Sequence, residues 1–159
     1  FIPAFCIKMS GLGKLRVAVI GAGAAGLCAA RHLLSRPDTF APPVVYELTK
    51  NIGGTWVYEE RVGFYDNGLP IHSSMYRDLR TNIPKEVMSF PDFPFAKHLP
   101  SFVHHTEVRK YLEQYCDHFR LWDHIQVKKK ILVVAQFLFL KYSHLFLNDQ
   151  HIWKFMLIA

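Results

Sequence analysis

The sequence predicts an α/β fold built on a doubly wound, mostly parallel sheet. Three observations within the first third of the chain support this prediction. Residues 16–20 form an apolar, β-branched run with the length of a buried strand. A glycine turn follows at once, and residues 24–34 are helix formers with leucine and alanine on one face. A second apolar strand, 44–46, ends on the acidic residue Glu47. Strand, helix and strand in this order form the unit from which parallel sheets are built.

The glycine turn, Gly21-x-Gly23-x-x-Gly26, has the spacing of the dinucleotide fingerprint. Gly21 permits the tight turn, Gly23 lets a pyrophosphate approach the backbone, and Gly26 lets the helix pack near the strand. The free N–H groups and positive dipole at the helix start stabilise phosphate charge. Glu47, which only accepts hydrogen bonds when ionised, suits a ribose diol. This context predicts a Rossmann-like nucleotide site; the alternative is a glycine turn in an ordinary α/β unit.

A second glycine motif follows the acid, where residues 52–56 read IGGTW. Bare backbone at Gly53 and Gly54 can approach a ligand closely, and the indole of Trp56 offers a large apolar face with one donor. The motif therefore favours a further ligand contact. The alternative is a glycine turn beside a core tryptophan.

The second half of the chain carries signals of packing. Residues 90–95, FPDFPF, alternate rings and prolines and predict a stiff packed loop. An apolar repeat over 106–119 predicts a helix with Thr106 as its N-cap, and its aromatic stripe indicates core. A short helix over 75–79, capped by the preceding serines, is also predicted.

Composition excludes several classes of function. The 159 residues are 50% hydrophobic and 14% aromatic, which predicts one domain with a real core. The net charge of +6 favours phosphate-bearing ligands, but the basic residues are scattered and do not predict nucleic-acid binding. Three cysteines are too few and too irregular for a disulfide framework, and nine histidines show no metal-ligand spacing. We expect no metal and a reducing, cytoplasmic location.

Taken together, the motifs GAGAAG, the acid of VVYE, IGGTW, LRTNIPKEVM, FPDFPF and the tyrosine-rich helix resemble the flavin-containing monooxygenases, and within them the glucosinolate S-oxygenase-like branch. A pyridine-nucleotide dehydrogenase would share the first two motifs but not the rest. The resemblance implies an FAD-dependent oxidoreductase in which NADPH reduces the flavin and O2 adds to it as a hydroperoxide. A small soft nucleophile, sulfur or nitrogen, then attacks the distal oxygen.

The resemblance also implies a set of site residues. Asn82 matches the position near the isoalloxazine and nicotinamide, where its amide would donate to NADP⁺ or the peroxide as the catalytic residue. Without the resemblance Asn82 would be interpreted as a turn residue. The implied FAD contacts are Gly21, Ala22, Gly23, Ala24, Ala25, Gly26, Glu47, Gly54, Thr55, Trp56, Thr81, Asn82 and Ile83.

The sequence also departs from the family pattern. The family has a second glycine fingerprint for NADPH and a histidine-containing motif between the two; here no glycine follows Gly68. The chain is therefore predicted to be the N-terminal FAD-binding portion of such an enzyme, an incomplete domain that is not active alone. The alternatives are an inactive truncated nucleotide-binding product and another FAD-dependent oxidoreductase.

The sequence predicts three segments. Residues 1–13 are expected to be an extension, non-native or disordered, and 14–127 the FAD-binding domain. Residues 128–159 form an atypical apolar and basic tail whose apolar stretch is too short to span a bilayer. Two interpretations of the tail stay open: a membrane-surface segment, and the product of a truncated or mis-spliced gene model.

Overall fold

The computed structural model describes a defined part of the chain. Its backbone covers residues 5–8, 14–65, 68, 70, 71, 73, 75–129, 133, 134, 143–147 and 151–156. Side chains are described within 14–129 with the same gaps. Much of the predicted extension and tail therefore lies outside the described residues.

The described elements alternate between strands and helices in the first half and are mostly strands after residue 125. In chain order they are β1 Phe5–Lys8, β2 Arg16–Ile20, α1 Ala24–Leu34, β3 Val44–Tyr46, α2 Lys85–Met88, α3 His105–His118, β4 Ile125–Gln126, β5 Val133–Val134, β6 Ser143–Leu147 and β7 His151–Met156. Two 3₁₀ turns lie at Gly54–Trp56 and Trp122–His124. The strands form one sheet in the order β4-β3-β2-β1-β7-β6-β5. Strands β2, β3 and β4 are parallel, and the other pairs are antiparallel.

The β2-α1-β3 unit has the bounds that the sequence predicts. Val19 pairs with Val45 in the parallel register, and both side chains are fully buried. Leu27 and Ala30 of α1 cover this part of the sheet and are equally buried. The apolar face of the helix and the apolar strands meet in one core, which confirms the α/β fold class.

The third parallel strand, β4, has no clear signal in the sequence because two residues are too few to show a period. Its pairing is nevertheless regular: the Glu47 N–H donates to the Gln126 carbonyl at 2.9 Å. The contact continues past the strand, where the Lys129 N–H donates to the Glu47 carbonyl at 2.9 Å. The carboxyl ends of β3 and β4 therefore lie side by side at Glu47.

Helix α3 begins one residue earlier than predicted, and its N-cap is His104 rather than Thr106. The His104 Nδ1 accepts from the Thr106 N–H at 3.4 Å and lies 2.8 Å from the Thr106 hydroxyl. The prediction of Thr106 as the cap was wrong because an imidazole nitrogen takes the acceptor role that a hydroxyl usually has at this position.

The predicted helix over 75–79 is also wrong. None of the described residues from 73 to 79 is helical, and the backbone turns at Arg77 and Asp78. The Met75 N–H donates to the Ser73 hydroxyl at 3.2 Å, a local bond that competes with helix formation. The rings of His104 and His105 both contact the Arg77 carbonyl, at 3.0 and 2.9 Å, and hold this turn against the start of α3.

The aromatic stripe of α3 is core, as predicted. Tyr111 stacks on Phe95 with ring centroids 3.8 Å apart, and Tyr115 lies 4.5 Å from the Phe90 ring. The Tyr111 hydroxyl accepts from the Phe90 N–H at 2.7 Å and donates to the Phe93 carbonyl at 2.5 Å. Loop 90–95 is thus fastened to α3 by rings and by backbone hydrogen bonds, which confirms the packed loop.

Among the described residues, no helix is both long and apolar enough to cross a membrane.

Candidate functional site

The glycine turn lies at the carboxyl end of β2. Gly21 follows the strand with φ of +96°, a conformation that residues with a side chain rarely adopt. Its N–H donates to the Tyr46 carbonyl at 2.8 Å, so the turn stays attached to the end of β3. The chain then reverses direction and enters α1 at Ala24.

Gly26 brings the helix into direct contact with this turn. A Cβ atom added to Gly26 would lie 1.9 Å from the Gly21 carbonyl oxygen and 3.4 Å from a methyl group of Val19. The first distance is impossible for nonbonded atoms, so only glycine fits. The structure thus gives Gly26 the helix-packing position that the fingerprint predicts.

The start of α1 is open to an anion. Gly23 is the N-cap, no side chain among the described residues caps it, and the first turn contains no acidic residue. The first helical bond runs from the Leu27 N–H to the Gly23 carbonyl at 3.0 Å. The N–H groups of Ala24, Ala25 and Gly26 therefore have no intrahelical acceptor. Such groups, together with the helix dipole, bind phosphate or carboxylate.

Glu47 is buried beside the turn, with 6% of its surface exposed. Its Oε2 accepts from the Ala22 N–H at 2.8 Å, and its Oε1 accepts from the Thr49 N–H at 2.8 Å and the Thr49 hydroxyl at 2.9 Å. A carboxylate has about four acceptor positions, so these bonds orient the group and still leave room for a ligand hydroxyl.

The double-glycine motif lies directly against the glycine turn. The Gly53 N–H donates to the Ala22 carbonyl at 2.9 Å, and a Cβ added to Gly54 would lie 3.1 Å from the Gly23 Cα. Gly53 and Gly54 have φ of +117° and +55°, which glycine adopts most readily. Two motifs distant in sequence therefore form one cradle made of bare backbone.

Thr55 and Trp56 continue from this cradle in a 3₁₀ turn. Thr55 is exposed, whereas Trp56 is half-buried and packs against the core. The side chain of Trp56 therefore has both a packing role and an accessible part.

The predicted group around Asn82 lies elsewhere, beside the start of α3. The Thr81 N–H donates to the Val103 carbonyl at 2.9 Å, which fixes the backbone before Asn82. Asn82 and Ile83 are exposed, whereas Thr81 is buried with an unpartnered hydroxyl. No hydrogen bond among the described residues joins positions 81–83 to the glycine turn.

Helix α3 lies against the double-glycine motif. Its Arg109 side chain would lie 3.8 Å from a Cβ added to Gly53, and its Nε donates to Glu113 at 2.9 Å. The structure therefore brings together the glycine turn, Glu47 and the double-glycine motif directly, whereas Asn82 follows a residue that is hydrogen-bonded to Val103, just before α3.

Sequence reasoning missed two residues of this site, Thr49 and Arg109. Thr49 carries a local signal, because a threonine hydroxyl readily hydrogen-bonds the backbone two residues further on, as Thr49 does with Asn51. Arg109 carries none, since its approach to Gly53 depends on how α3 packs.

Comparison with known proteins shows which family the chain belongs to. Residues 14–140 match the model of the family described as Flavin-binding monooxygenase-like. The chain belongs to this family. The resemblance predicted from the motifs is therefore confirmed.

The chain is similar to several oxygenases over most of its length. It is 40% identical over 121 residues to Senecionine N-oxygenase of Tyria jacobaeae, covering 76% of this chain and 26% of that protein. It is 38% identical over 139 residues to Flavin-containing monooxygenase FMO GS-OX5 of Arabidopsis thaliana, covering 77% of this chain and 29% of that one. The solved structure of S-allyl-L-cysteine S-oxygenase from Allium sativum is 32% identical with a TM-score of 0.62, covering 86% of this chain and 33% of that chain. The chain thus spans about a quarter to a third of the length of these relatives.

Proposed function

We propose that residues 14–127 are the FAD-binding portion of an NADPH-dependent flavin monooxygenase that oxygenates soft sulfur or nitrogen nucleophiles. Family membership supports the reaction class, and the names of the relatives include both an S-oxygenase and an N-oxygenase. The sequence contains one dinucleotide fingerprint, so we assign it to FAD and expect the NADPH site to require further chain.

The observation that carries the proposal is the contact between the two glycine motifs beside a buried acid. The residues fit the adenosine diphosphate half of FAD: the open N–H groups of Ala24 and Ala25 suit its diphosphate. The oriented carboxylate of Glu47 suits its ribose diol. The backbones of Gly23 and Gly54 lie close together, and neither residue has a side chain that would separate the two motifs.

When bound, FAD would accept a hydride from NADPH and transfer one oxygen atom of O2 to the substrate, with water as the second product. The residues of this chain bind the cofactor and orient it. We propose that Gly54, Thr55 and Trp56 hold the cofactor beyond the diphosphate. Asn82, exposed and fixed through its neighbour Thr81, is proposed to donate its amide at the reacting end.

The 159-residue chain is expected to bind FAD without turning over NADPH. Titration of FAD and of FMN, followed by flavin fluorescence and by the melting temperature, tests the first statement. FAD should bind and raise the melting temperature, whereas FMN, which lacks the adenosine half, should do neither. Equal binding of FMN would contradict the assignment of the glycine cradle.

Turnover is tested separately by NADPH consumption and sulfoxide formation in the presence of FAD and a thioether. We expect neither above the rate of free FAD. Robust sulfoxide formation would show that this chain contains a working NADPH site and would overturn the proposed inactivity.

A further inference from the structure

Thr49 lies at the rim of the cradle and is not part of the glycine fingerprint. We infer that it is a positioning residue, which sets the Glu47 carboxylate for the adenosine ribose and connects it to the double-glycine motif. The inference rests on the proposed FAD function and adds to it a residue that decides how well the ribose is recognised.

The first step is the orientation of the carboxylate. The terminal torsion of a glutamate side chain is soft, so the direction of its oxygens depends on the hydrogen bonds they accept. Thr49 supplies two donors to the same Glu47 oxygen, its N–H at 2.8 Å and its hydroxyl at 2.9 Å. The Ala22 N–H binds the other oxygen at 2.8 Å. Two of the three bonds that fix the carboxylate therefore come from Thr49.

The second step is the connection to the loop. The Thr49 hydroxyl also lies 2.8 Å from the Asn51 carbonyl and accepts from the Asn51 N–H at 3.3 Å. A hydroxyl has one proton, so it divides its donation between the acid and this carbonyl. Asn51 is followed by Ile52 and the double-glycine motif. One side chain thus contacts both the ribose-binding acid and the segment that forms the other wall of the cradle.

The third step is the consequence for binding. Hydrogen bonds to a charged group are the strongest that neutral donors make, and a misdirected carboxylate accepts poorly from a rigid diol. Replacement of Thr49 by valine keeps the shape and the N–H but removes the hydroxyl. We expect Thr49→Val to weaken binding of a ribose-containing ligand about tenfold, and Thr49→Ser to restore it.

The experiment uses the whole chain and two probes, ADP and 2′,3′-dideoxy-ADP, titrated calorimetrically. The unaltered chain should prefer ADP, and Thr49→Val should lose most of this preference while its affinity for the dideoxy probe stays unchanged. Thr39→Val, a matched change at an exposed position, should alter neither affinity. In the Glu47→Gln background, Thr49→Val should have little further effect, because both act on the same contact.

An equal loss for both probes in Thr49→Val would mean a merely structural role and would overturn the inference, as would an unchanged preference for ADP. Melting temperatures accompany each titration, and Thr49→Ala takes the place of the valine variant if that variant does not fold. Failure of the unaltered chain to bind either probe would instead overturn the proposed FAD site itself. The two failures are therefore distinguishable.

Discussion

The glycine cradle and the aromatic packing of α3 are built in opposite ways. In the cradle, Gly26 lies against the Gly21 carbonyl and Gly54 lies against Gly23, and both approaches are close because side chains are missing. Under α3, by contrast, large rings fill the space, and Tyr111 also supplies hydrogen bonds that the backbone of its neighbouring loop needs. Adding atoms to the first region should therefore lower stability, whereas in the second region stability should fall when atoms are removed.

The difference follows from the role that we propose for each region. A ligand site at the end of a strand must leave room and donors for another molecule, so its own parts are small and its N–H groups stay open. A core must exclude water and leave no voids. Arg109 and Tyr111 lie on the same helix, so α3 contacts the cradle with one residue and the aromatic packing with another.

The largest expected effect comes from adding one methyl group in the cradle. Gly26→Ala should lower the free energy of unfolding by about 3 kcal/mol or more and abolish FAD binding, because the new Cβ collides with the Gly21 carbonyl. Gly23→Ala is the matched control: its Cβ would lie 3.5 Å from the Gly54 Cα, an ordinary contact. The free energy of unfolding of this variant should fall by only about 1 kcal/mol, mainly because alanine is a poorer N-cap than glycine. Its affinity for FAD should nevertheless be low. Urea unfolding and FAD titration measure both; similar stability of the two variants would contradict the assigned collision.

A smaller effect is expected from removing a single oxygen under α3. Tyr111→Phe leaves the Phe90 N–H without its acceptor and should cost about 2 kcal/mol. Tyr115→Phe is the control, because the Tyr115 hydroxyl is buried without a hydrogen-bond partner among the described residues. Its removal should change stability by less than about 0.5 kcal/mol or increase it slightly. Equal costs in urea unfolding would show that the two hydroxyls do not differ as the structure indicates.

The smallest effect concerns the cysteine of α3. Burial, aided by the charges of Asp117 and Glu113, raises the pKa of the Cys116 thiol to about 12 from its usual 9.0. The raised pKa means that this thiol favours folding below pH 9 and that its contribution is lost as pH rises from 9 toward 12. In the folded protein at pH 8 we expect almost no alkylation of Cys116 by iodoacetamide, and full alkylation in urea. Peptide mass spectrometry follows the reaction; rapid labelling of the native protein would contradict the burial of this thiol.

Much of the fold and of the site is local and could be predicted. The strand β2, the helix α1 and the strand β3 have their predicted bounds, because apolar periods and glycine spacing are properties of neighbouring residues. The place of Glu47 at the end of β3 follows from the same pattern. The composition of the loop 90–95 likewise indicates packing before its partners are known.

Only the tertiary structure decided which distant segments are in contact. Three features join residues that no period connects: the pairing of β4 with β3, the position of Gly54 against Gly23 and the approach of Arg109 to Gly53. The N-cap of α3 was mispredicted for a related reason, since His104 takes that role while its ring also holds a distant carbonyl. The sequence determined which residues are small, acidic or apolar. The packing of α3 and the sheet determined which of them meet, because those contacts form only when the shared core is buried.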